Sequence, residues 1–108
     1  MLSKKNRVDK KGIDFIFKKG NSVTSPSFMF KFVLIDEPTR PRISFIAPKN
    51  IARLAVKRNL LRRKGYYVLK KYINQFSPKI LGVFVFKKIE EDILKIENEI
   101  KNILNKIN

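Results

Sequence analysis

The chain of 108 residues contains neither cysteine nor histidine. Without cysteine it can form no disulfide framework, no thiolate metal site and no cysteine nucleophile. Without histidine it lacks the usual general base, the commonest metal ligand and every catalytic triad that contains histidine. These absences argue against a catalytic centre made of this chain's own side chains. We predict no catalytic residue and no protein metal site.

Long apolar runs and a secretory signal are missing as well. No run of about 18 apolar residues, roughly the least that spans a bilayer as a helix, is present. The basic N-terminus, residues 1–15, is not followed by a continuous apolar stretch and a small-residue cleavage site. We therefore expect a cytoplasmic protein with no membrane partner.

Acidic residues are absent from a long internal stretch. The formal net charge is +16, from 25 Lys and Arg against 9 Asp and Glu. Residues 38–89 hold fourteen Lys or Arg and no acid, whereas residues 90–108 hold five acids and three Lys. Such a run of cations repels itself in a folded protein, and nucleic acid is the commonest polyanion that relieves this repulsion. A generally lysine-rich composition and an anionic membrane surface are the alternatives.

The hydrophobic fraction of 44% is too high for a disordered basic tail and suits one modest core. The length predicts a single domain over residues 1–108. Periodicity and turn residues predict the following elements: helix 10–19, strand 28–34, turn 36–41, strand 42–47, helix 50–72, buried strand 80–86 and helix 89–107.

This order of elements, helix-strand-strand-helix-strand-helix, predicts an α+β fold, a small α/β sandwich with its helices on one face of a sheet. The first two strands are expected to form a hairpin. The helix between the second and third strands predicts a crossover and a partly parallel sheet. In strand 28–34, Phe28, Phe30 and Phe32 share one face, and Met29, Lys31 and Val33 share the other.

Two residues of the predicted helix 50–72 lie on its apolar stripe without being apolar side chains. Gly65 indicates either a close approach to the sheet or a break between two helices. Arg58 indicates either a stem that covers the core or a helix that is not straight. In helix 89–107, isoleucine repeats at helical spacing, and Glu90, Glu91 and Asp92 are expected in the first turn, where the helix dipole favours acids.

The densest basic cluster is residues 49–64, in which seven of sixteen residues are Lys or Arg, interleaved with apolar residues at helical spacing. The guanidinium group of arginine binds phosphate with two hydrogen bonds, and its plane stacks on bases. Asn59 can offer an amide contact to a base. The pattern therefore favours a helix that binds nucleic acid over a merely solvated basic face.

The stretch from Ala55 to Arg63 resembles the Arg-Asn signature of the bacterial ribonuclease P protein component. The resemblance continues in a basic N-terminus, a first helix ending in Ile16-Phe17-Lys18-Lys19-Gly20, and Ser25-Pro26 before an aromatic strand. It extends through an Arg-led strand that ends near Lys49 and through the strand and helix of residues 80–107, and so covers essentially the whole chain. The chain departs from the family pattern at Ile13, Leu60 and Gly65.

The resemblance implies the family's small α/β sandwich with a left-handed crossover, where pattern alone predicts a right-handed one. It implies a role as the non-catalytic protein subunit of ribonuclease P, which removes the 5′ leader of precursor tRNA. The chemistry then belongs to the RNA subunit and its Mg²⁺ ions. The implied partners are ribonuclease P RNA and precursor tRNA, with one protein in a 1:1 complex favoured.

The resemblance also implies two contact surfaces. Residues expected to bind the RNA subunit are Arg58, Asn59, Arg62, Arg63 and Lys64. Residues expected to bind the single-stranded leader are Phe17, Lys31, Lys49, Arg53 and Lys57, of which the last three would lie between the two surfaces. A general or ribosomal-type RNA-binding protein is the main alternative. A protein-interaction module using the isoleucine stripe and a membrane-surface role are weaker ones.

Overall fold

A computed structural model describes residues 6–36 and 40–107. Residues 1–5 of the basic N-terminus and residues 37–39 of the predicted turn lie outside the described residues. The elements in chain order are α1 Lys10–Lys19, β1 Asn21–Thr24, β2 Phe28–Leu34, β3 Arg42–Ile46, α2 Ala55–Tyr72, a 3₁₀ turn Ile73–Gln75, β4 Ile80–Phe86 and α3 Ile93–Ile107. Among the described helices, none has the length and apolar character needed to cross a bilayer.

Helix α1 has the predicted bounds. Its start is capped by Asp9, whose carboxylate accepts a hydrogen bond from the amide of Gly12 at 2.8 Å. Its end is marked by Gly20, whose amide donates to the carbonyl of Ile16 at 2.7 Å. Ile16 is buried, so this helix is fixed to the sheet by a narrow apolar stripe.

The four-stranded sheet has the order β1-β2-β4-β3, with β2 antiparallel to β1 and β4, and β3 parallel to β4. The predicted hairpin between strands 28–34 and 42–47 is therefore wrong. Strand β4, a continuous apolar run, lies between β2 and β3, and helices cover both of its faces. The short edge strand β1 was not predicted. The predicted crossover and parallel pair are confirmed in β3-α2-β4.

The helices cover both faces of the sheet, so the expectation that they lie on one face is wrong. On one face, Phe28, Phe30 and Phe84 belong to the main core with α2 and α3. On the other face, Val83 packs with Ile16 of α1 in a second, smaller core. The apolar run of β4 presents large side chains to both faces, which requires a helix on each side.

The hydrogen-bond pattern fixes the hand of the β3-α2-β4 connection. The amide of Lys87 donates to the carbonyl of Ser27, and that of Ile35 to Lys79, so odd-numbered residues of β4 direct their peptide groups at β2. These same residues, including Val83, face α1. In L-residues the direction of the side chain is coupled to that of the peptide groups, which places β3 so that the connection through α2 is left-handed. This hand is an exception to the right-handed rule.

Helix α2 begins at Ala55, five residues later than the predicted Asn50. The preceding residues form a turn in which the carbonyl of Pro48 accepts from the amides of Ile51 and Ala52. Leu54, the residue just before α2, is 72% exposed. Gly65 is buried within a continuous helix, and a Cβ built on it would lie 2.6 Å from the ring of Phe45. The interpretation of a close approach to the sheet is thus confirmed.

Helix α3 begins at Ile93, so the expectation that Glu90, Glu91 and Asp92 lie in its first turn is wrong. Asp92 precedes the helix, and its carboxylate accepts from the amide of Leu94 at 2.9 Å. The isoleucine stripe is buried through Ile96, Ile100 and Ile103 in the main core. That stripe is therefore a core-packing face, which leaves no exposed seam of isoleucines for a partner helix.

Candidate nucleic-acid interface

A groove of about 740 Å³ lies where α1, β3 and α2 meet. It brings together three of the five residues predicted to bind the RNA subunit: Asn59, Arg62 and Arg63. The side chain of Arg62 donates a hydrogen bond to the amide oxygen of Asn59. This bond turns the amide nitrogen of Asn59 away from Arg62, so the pair can offer donors to a polyanion or a base edge.

Arg7 lines the same groove and was missed by the sequence analysis. Its guanidinium carbon lies 4.8 Å from the centre of the Tyr66 ring. The neighbouring Val8 is fastened to β3, where its amide donates to the hydroxyl of Ser44 at 2.8 Å. Long-range contacts of this kind bring the N-terminal segment beside α2, and no local sequence signal could have revealed them.

The hydroxyl of Tyr66 accepts a hydrogen bond from the amide of Phe45 at 3.1 Å. Phe45 belongs to β3, an edge strand whose outward amides have no neighbouring strand to bond. Tyr66 therefore supports the floor of the groove, satisfies a backbone donor and carries the guanidinium of Arg7 on its ring. The sequence alone could not distinguish the structural role of Tyr66 from that of the adjacent Tyr67, which points outward and is exposed.

Lys57 and Lys64 do not line this groove, and both instead contact Glu91. The ammonium group of Lys57 donates to the carboxylate of Glu91. Lys64 donates to the Glu91 carbonyl at 2.9 Å and lies 3.9 Å from its carboxylate. The hydrogen bond from Lys57 holds the pKa of Glu91 below its usual value, against a smaller opposing effect of desolvation. Glu91 is therefore ionised at neutral pH.

Arg58 is also held within the protein. Its guanidinium donates to the carbonyl of Ala52 at 3.0 Å and to that of Arg53 at 2.6 Å. These bonds fasten the start of α2 to the turn before it, which explains why a cation can occupy the apolar side of the helix. Neither interpretation offered for Arg58 from the sequence included this role in closing the turn.

The predicted leader surface has its centre on the face of the sheet that α1 covers, opposite the face that carries α2 and α3. Phe17 of α1 is 40% exposed, and the ammonium of Lys31 in β2 lies 5.5 Å from the centre of its ring. Met29 and Val33 are half-buried on the same sheet face as Lys31, whereas Phe28 and Phe30 on the opposite face are fully buried in the core. The structure therefore brings together an exposed ring, a cation and an apolar floor.

Three further residues were predicted for the leader surface. Lys49 and Arg53 are exposed on the segment between β3 and α2. Lys57 lies in the first turn of α2 and donates to Glu91. No contact among the described residues joins these three to Phe17 or Lys31. No group of three or more Asp or Glu side chains that could hold a metal ion occurs in residues 6–36 and 40–107.

A family model described as Ribonuclease P matches residues 2–108 of this chain. The chain belongs to the ribonuclease P protein family. Membership makes it the protein component of ribonuclease P, an RNA-binding protein of tRNA processing, and implies ribonuclease P RNA as its partner. The family predicted from the Arg-Asn segment and its flanking patterns is thus confirmed.

Solved structures of this family share the fold. The RNase P protein of Staphylococcus aureus has a TM-score of 0.81 at 20% identity, with 95% of each chain covered. The RNase P protein of Thermotoga maritima has a TM-score of 0.82 at 18% identity, with 94% of this chain and 97% of that chain covered. No curated protein matches the chain by sequence. The α+β fold is therefore retained at very low sequence identity.

Proposed function

We propose that this protein binds the catalytic RNA of ribonuclease P through the groove between α1, β3 and α2, and the 5′ leader of precursor tRNA through the surface around Phe17 and Lys31. Binding at the two surfaces assists endonucleolytic removal of the leader. The observation that carries the proposal is the gathering of Arg7, Asn59, Arg62 and Arg63 in one groove.

The groove suits a folded RNA because its cations are presented on rigid elements. Arg62 and Arg63 lie on a continuous helix, and Arg7 is held against the Tyr66 ring. Guanidinium groups bind phosphate oxygens with two parallel hydrogen bonds, and this geometry favours a fixed register on the RNA. Phosphate contacts of this kind make the affinity fall steeply with salt.

The surface around Phe17 suits a single strand. The exposed ring of Phe17 offers a stacking face, and Lys31 beside it offers a cation to the adjacent phosphate. Single-stranded nucleic acids are held by this combination of aromatic platforms and a cationic track. A leader bound here would be held by the protein while the tRNA body is held by the RNA subunit.

The chemistry in this proposal belongs to the RNA subunit and to Mg²⁺ ions bound there. This chain has no histidine or cysteine, and its role is to neutralise phosphate repulsion and thereby strengthen Mg²⁺ binding by the RNA. One protein with one RNA in the cytoplasm is the arrangement we propose. The protein contributes binding energy rather than a reacting group.

The deciding experiment is cleavage of precursor tRNA at low Mg²⁺ by ribonuclease P RNA of the same bacterium, with and without this protein, and by the protein alone. Cleavage that needs both components supports the proposal and assigns the chemistry to the RNA. No stimulation despite salt-sensitive binding to that RNA would overturn it in favour of a general RNA-binding protein. Cleavage by the protein alone would contradict the assignment of the chemistry.

A further inference from the structure

The outer side of α2 carries a further aromatic and basic surface, which shares only Arg63 with the groove and no residue with the surface around Phe17. Tyr67 is 59% exposed, and the ammonium of Lys71 lies 5.7 Å from the centre of its ring. Arg63, Tyr67, Lys70 and Lys71 together line a hollow of about 520 Å³. We call these four residues the Tyr67 platform.

The exposure of Tyr67 is not explained by the fold. The other two tyrosines have structural contacts: Tyr66 is buried with its hydroxyl on the β3 backbone, and the hydroxyl of Tyr72 donates to Glu97 at 2.5 Å. Tyr67 instead directs its ring toward solvent from the middle of a continuous helix. Large aromatic side chains that remain exposed among cations are typical of binding surfaces.

The charged side chains that line the hollow with Tyr67 are all basic, and one acidic residue, Glu97, lies near Lys71. Arg63 and Lys70 are exposed, and each lies within one helical turn of Tyr67 on the same side of α2. Lys71 is paired with Glu97 only at 4.0 Å, and its side chain is 54% exposed. An ion pair this long, with its lysine exposed, contributes little, so a phosphate can take the place of Glu97 on Lys71.

We propose that the Tyr67 platform binds one unpaired nucleotide of RNA. The base stacks on the ring of Tyr67, and Arg63, Lys70 and Lys71 hold the phosphates on either side of it. The base must be unpaired because stacking on the Tyr67 ring needs an exposed base face, and the bases of an RNA duplex are covered by their neighbours in the stack. This inference rests on the proposed function for its partner and adds a third contact to it.

Arg63 connects the platform with the groove, because it lines both hollows. An RNA strand that leaves the groove along α2 therefore meets Tyr67 next. This continuity favours the same RNA at both places over an unrelated partner. It also predicts that the platform reads an unpaired residue close to the RNA segment that the groove holds.

The chain contains no tryptophan, which allows a local test. Tyr67→Trp places a single indole on the platform, and its fluorescence is followed with a short single-stranded oligoribonucleotide and with the same strand in a duplex. We expect saturable quenching by the single strand and a much weaker change with the duplex. Equal responses to both RNAs would overturn stacking on an unpaired base. A blue shift with phosphatidylglycerol vesicles, without RNA quenching, would overturn it in favour of a membrane.

A second measurement uses ribonuclease P RNA and substitutions that leave the fold unchanged. We expect Tyr67→Ala to lower the affinity by about 5-fold to 100-fold without changing the salt slope, since stacking contributes about 1–3 kcal/mol per base. Tyr67→Phe keeps the ring and should retain affinity. Phe15→Ala, which removes a 47% exposed ring from α1, is the matched control and should have no effect.

The outcomes separate this inference from the proposed function. If Tyr67→Ala binds like the unsubstituted protein while Arg62→Ala with Arg63→Ala binds weakly, the platform is refuted and the proposed function stands. If neither Tyr67→Ala nor the double variant alters binding to ribonuclease P RNA, both the proposed function of the groove and the platform are refuted. Loss of affinity in Phe15→Ala equal to that in Tyr67→Ala would also refute the platform, because any exposed ring would then suffice.

Discussion

The carboxylate of Glu91 accepts a hydrogen bond from the ammonium group of Lys57, and this contact ties the segment before α3 to the start of α2. The ammonium group of Lys64 donates a hydrogen bond to the main-chain carbonyl of the same glutamate at 2.9 Å. Both lysines were predicted to bind RNA, one at each surface. In the protein alone, an internal carboxylate therefore occupies the position that a phosphate would take on these two cations.

We predict that Glu91→Gln strengthens RNA binding. The substitution frees Lys57 from the carboxylate and removes the 3.9 Å ion pair of Lys64, whose bond to the Glu91 carbonyl remains. The plot of log affinity against log salt should therefore steepen by about one unit for each of these lysines that gains a phosphate contact. Filter binding to ribonuclease P RNA over a salt series measures this slope. The gain should be largest at low salt, where electrostatic contacts are screened least.

Glu90→Gln is the matched control for this change, because it removes the same charge one residue away. The carboxylate of Glu90 accepts from the amide of Asp92 and from no lysine among the described residues. If both variants steepen the slope equally, the effect comes from net charge alone, and the specific role of Glu91 is wrong. If neither does, the two lysines do not contact phosphate.

We predict that Arg58→Ala lowers both stability and RNA affinity. Its guanidinium donates to the carbonyls of Ala52 and Arg53, and a hydrogen bond to a charged group contributes about 1.5–3 kcal/mol to net stability. Urea denaturation should show a loss of about 1–3 kcal/mol. Affinity falls indirectly, because the start of α2 is no longer held.

Arg63→Ala is the contrasting variant. This side chain is exposed, and no ion pair joins it to another described residue. We expect unchanged stability and a salt slope lower by about one unit, the signature of one lost phosphate contact. Should Arg63→Ala destabilise the protein as much as Arg58→Ala, the division between a positioning residue and a binding residue is refuted.

For the surface around Phe17 we predict a selective loss of precursor tRNA. Phe17→Ala removes a stacking face and should weaken binding of precursor tRNA to the holoenzyme by about 5-fold to 100-fold. Mature tRNA has no leader, so its affinity should not change. Lys31→Glu should act in the same direction with a change in salt slope. Equal losses for precursor and mature tRNA would contradict the assignment of this surface to the leader.

Most of the helices and strands could be predicted because their signals are local. The apolar stripe of α1, the alternation of β2 and the apolar run of β4 each follow from the period of the side chains and the length of the segment. The pairing could not be predicted, because β4 pairs with β2 and β3 through contacts between residues far apart in sequence, and a strand's own pattern does not name its neighbours. Strand β1 escaped notice since its four residues, mostly exposed, carry no apolar alternation.

The candidate site shows the same division. Asn59, Arg62 and Arg63 were implied by the resemblance of the Arg-Asn segment to the family signature, and the fold does bring them to one groove. Arg7 could not be found this way, because its place depends on a contact between Val8 and Ser44 across 36 positions. The acids at 90–92 were assigned to a helix dipole, whereas two lysines of α2 hold Glu91. Tertiary contacts decided both cases.

We predict that Gly65→Ala destabilises the protein although alanine favours a helix. A Cβ at this position would meet the ring of Phe45, which is stacked on Phe84 with centroids 5.0 Å apart and cannot move aside. Overpacking of a core costs about 1–3 kcal/mol and the helix gains about 1 kcal/mol, so the net loss is about 1 kcal/mol. Urea denaturation measures it.

The matching test is a double-mutant cycle with Phe45→Leu, which shortens the side chain that the new methyl group meets. The cost of Gly65→Ala should shrink or reverse in that background. If Gly65→Ala instead raises stability by about 1 kcal/mol in the unsubstituted protein, helix propensity alone governs the position. The close approach of α2 to β3 would then not require glycine.

The hydroxyl of Tyr72 and the carboxylate of Glu97 predict the pH dependence of stability. Their hydrogen bond raises the pKa of Tyr72 above its ordinary value of about 10 and lowers the pKa of Glu97 below about 4.5. The contribution of Tyr72 is therefore complete below pH 10 and is lost as the pH rises through its raised pKa. That of Glu97 is complete above pH 4.5 and is lost as the pH falls through its lowered pKa.

We expect Tyr72→Phe to lower the Tm throughout the neutral range, where both groups keep the bond. The difference in Tm from the unsubstituted protein should narrow in acid, once Glu97 is protonated, and again in strong alkali, once Tyr72 has ionised. Thermal melts followed by circular dichroism across pH measure this difference, and absorbance near the phenolate band reports the ionisation. Tyr67→Phe, at an exposed ring, is the control and should give a flat difference. A difference for Tyr72→Phe that stays constant from acid to alkali would show that the hydroxyl acts through packing and not through the carboxylate.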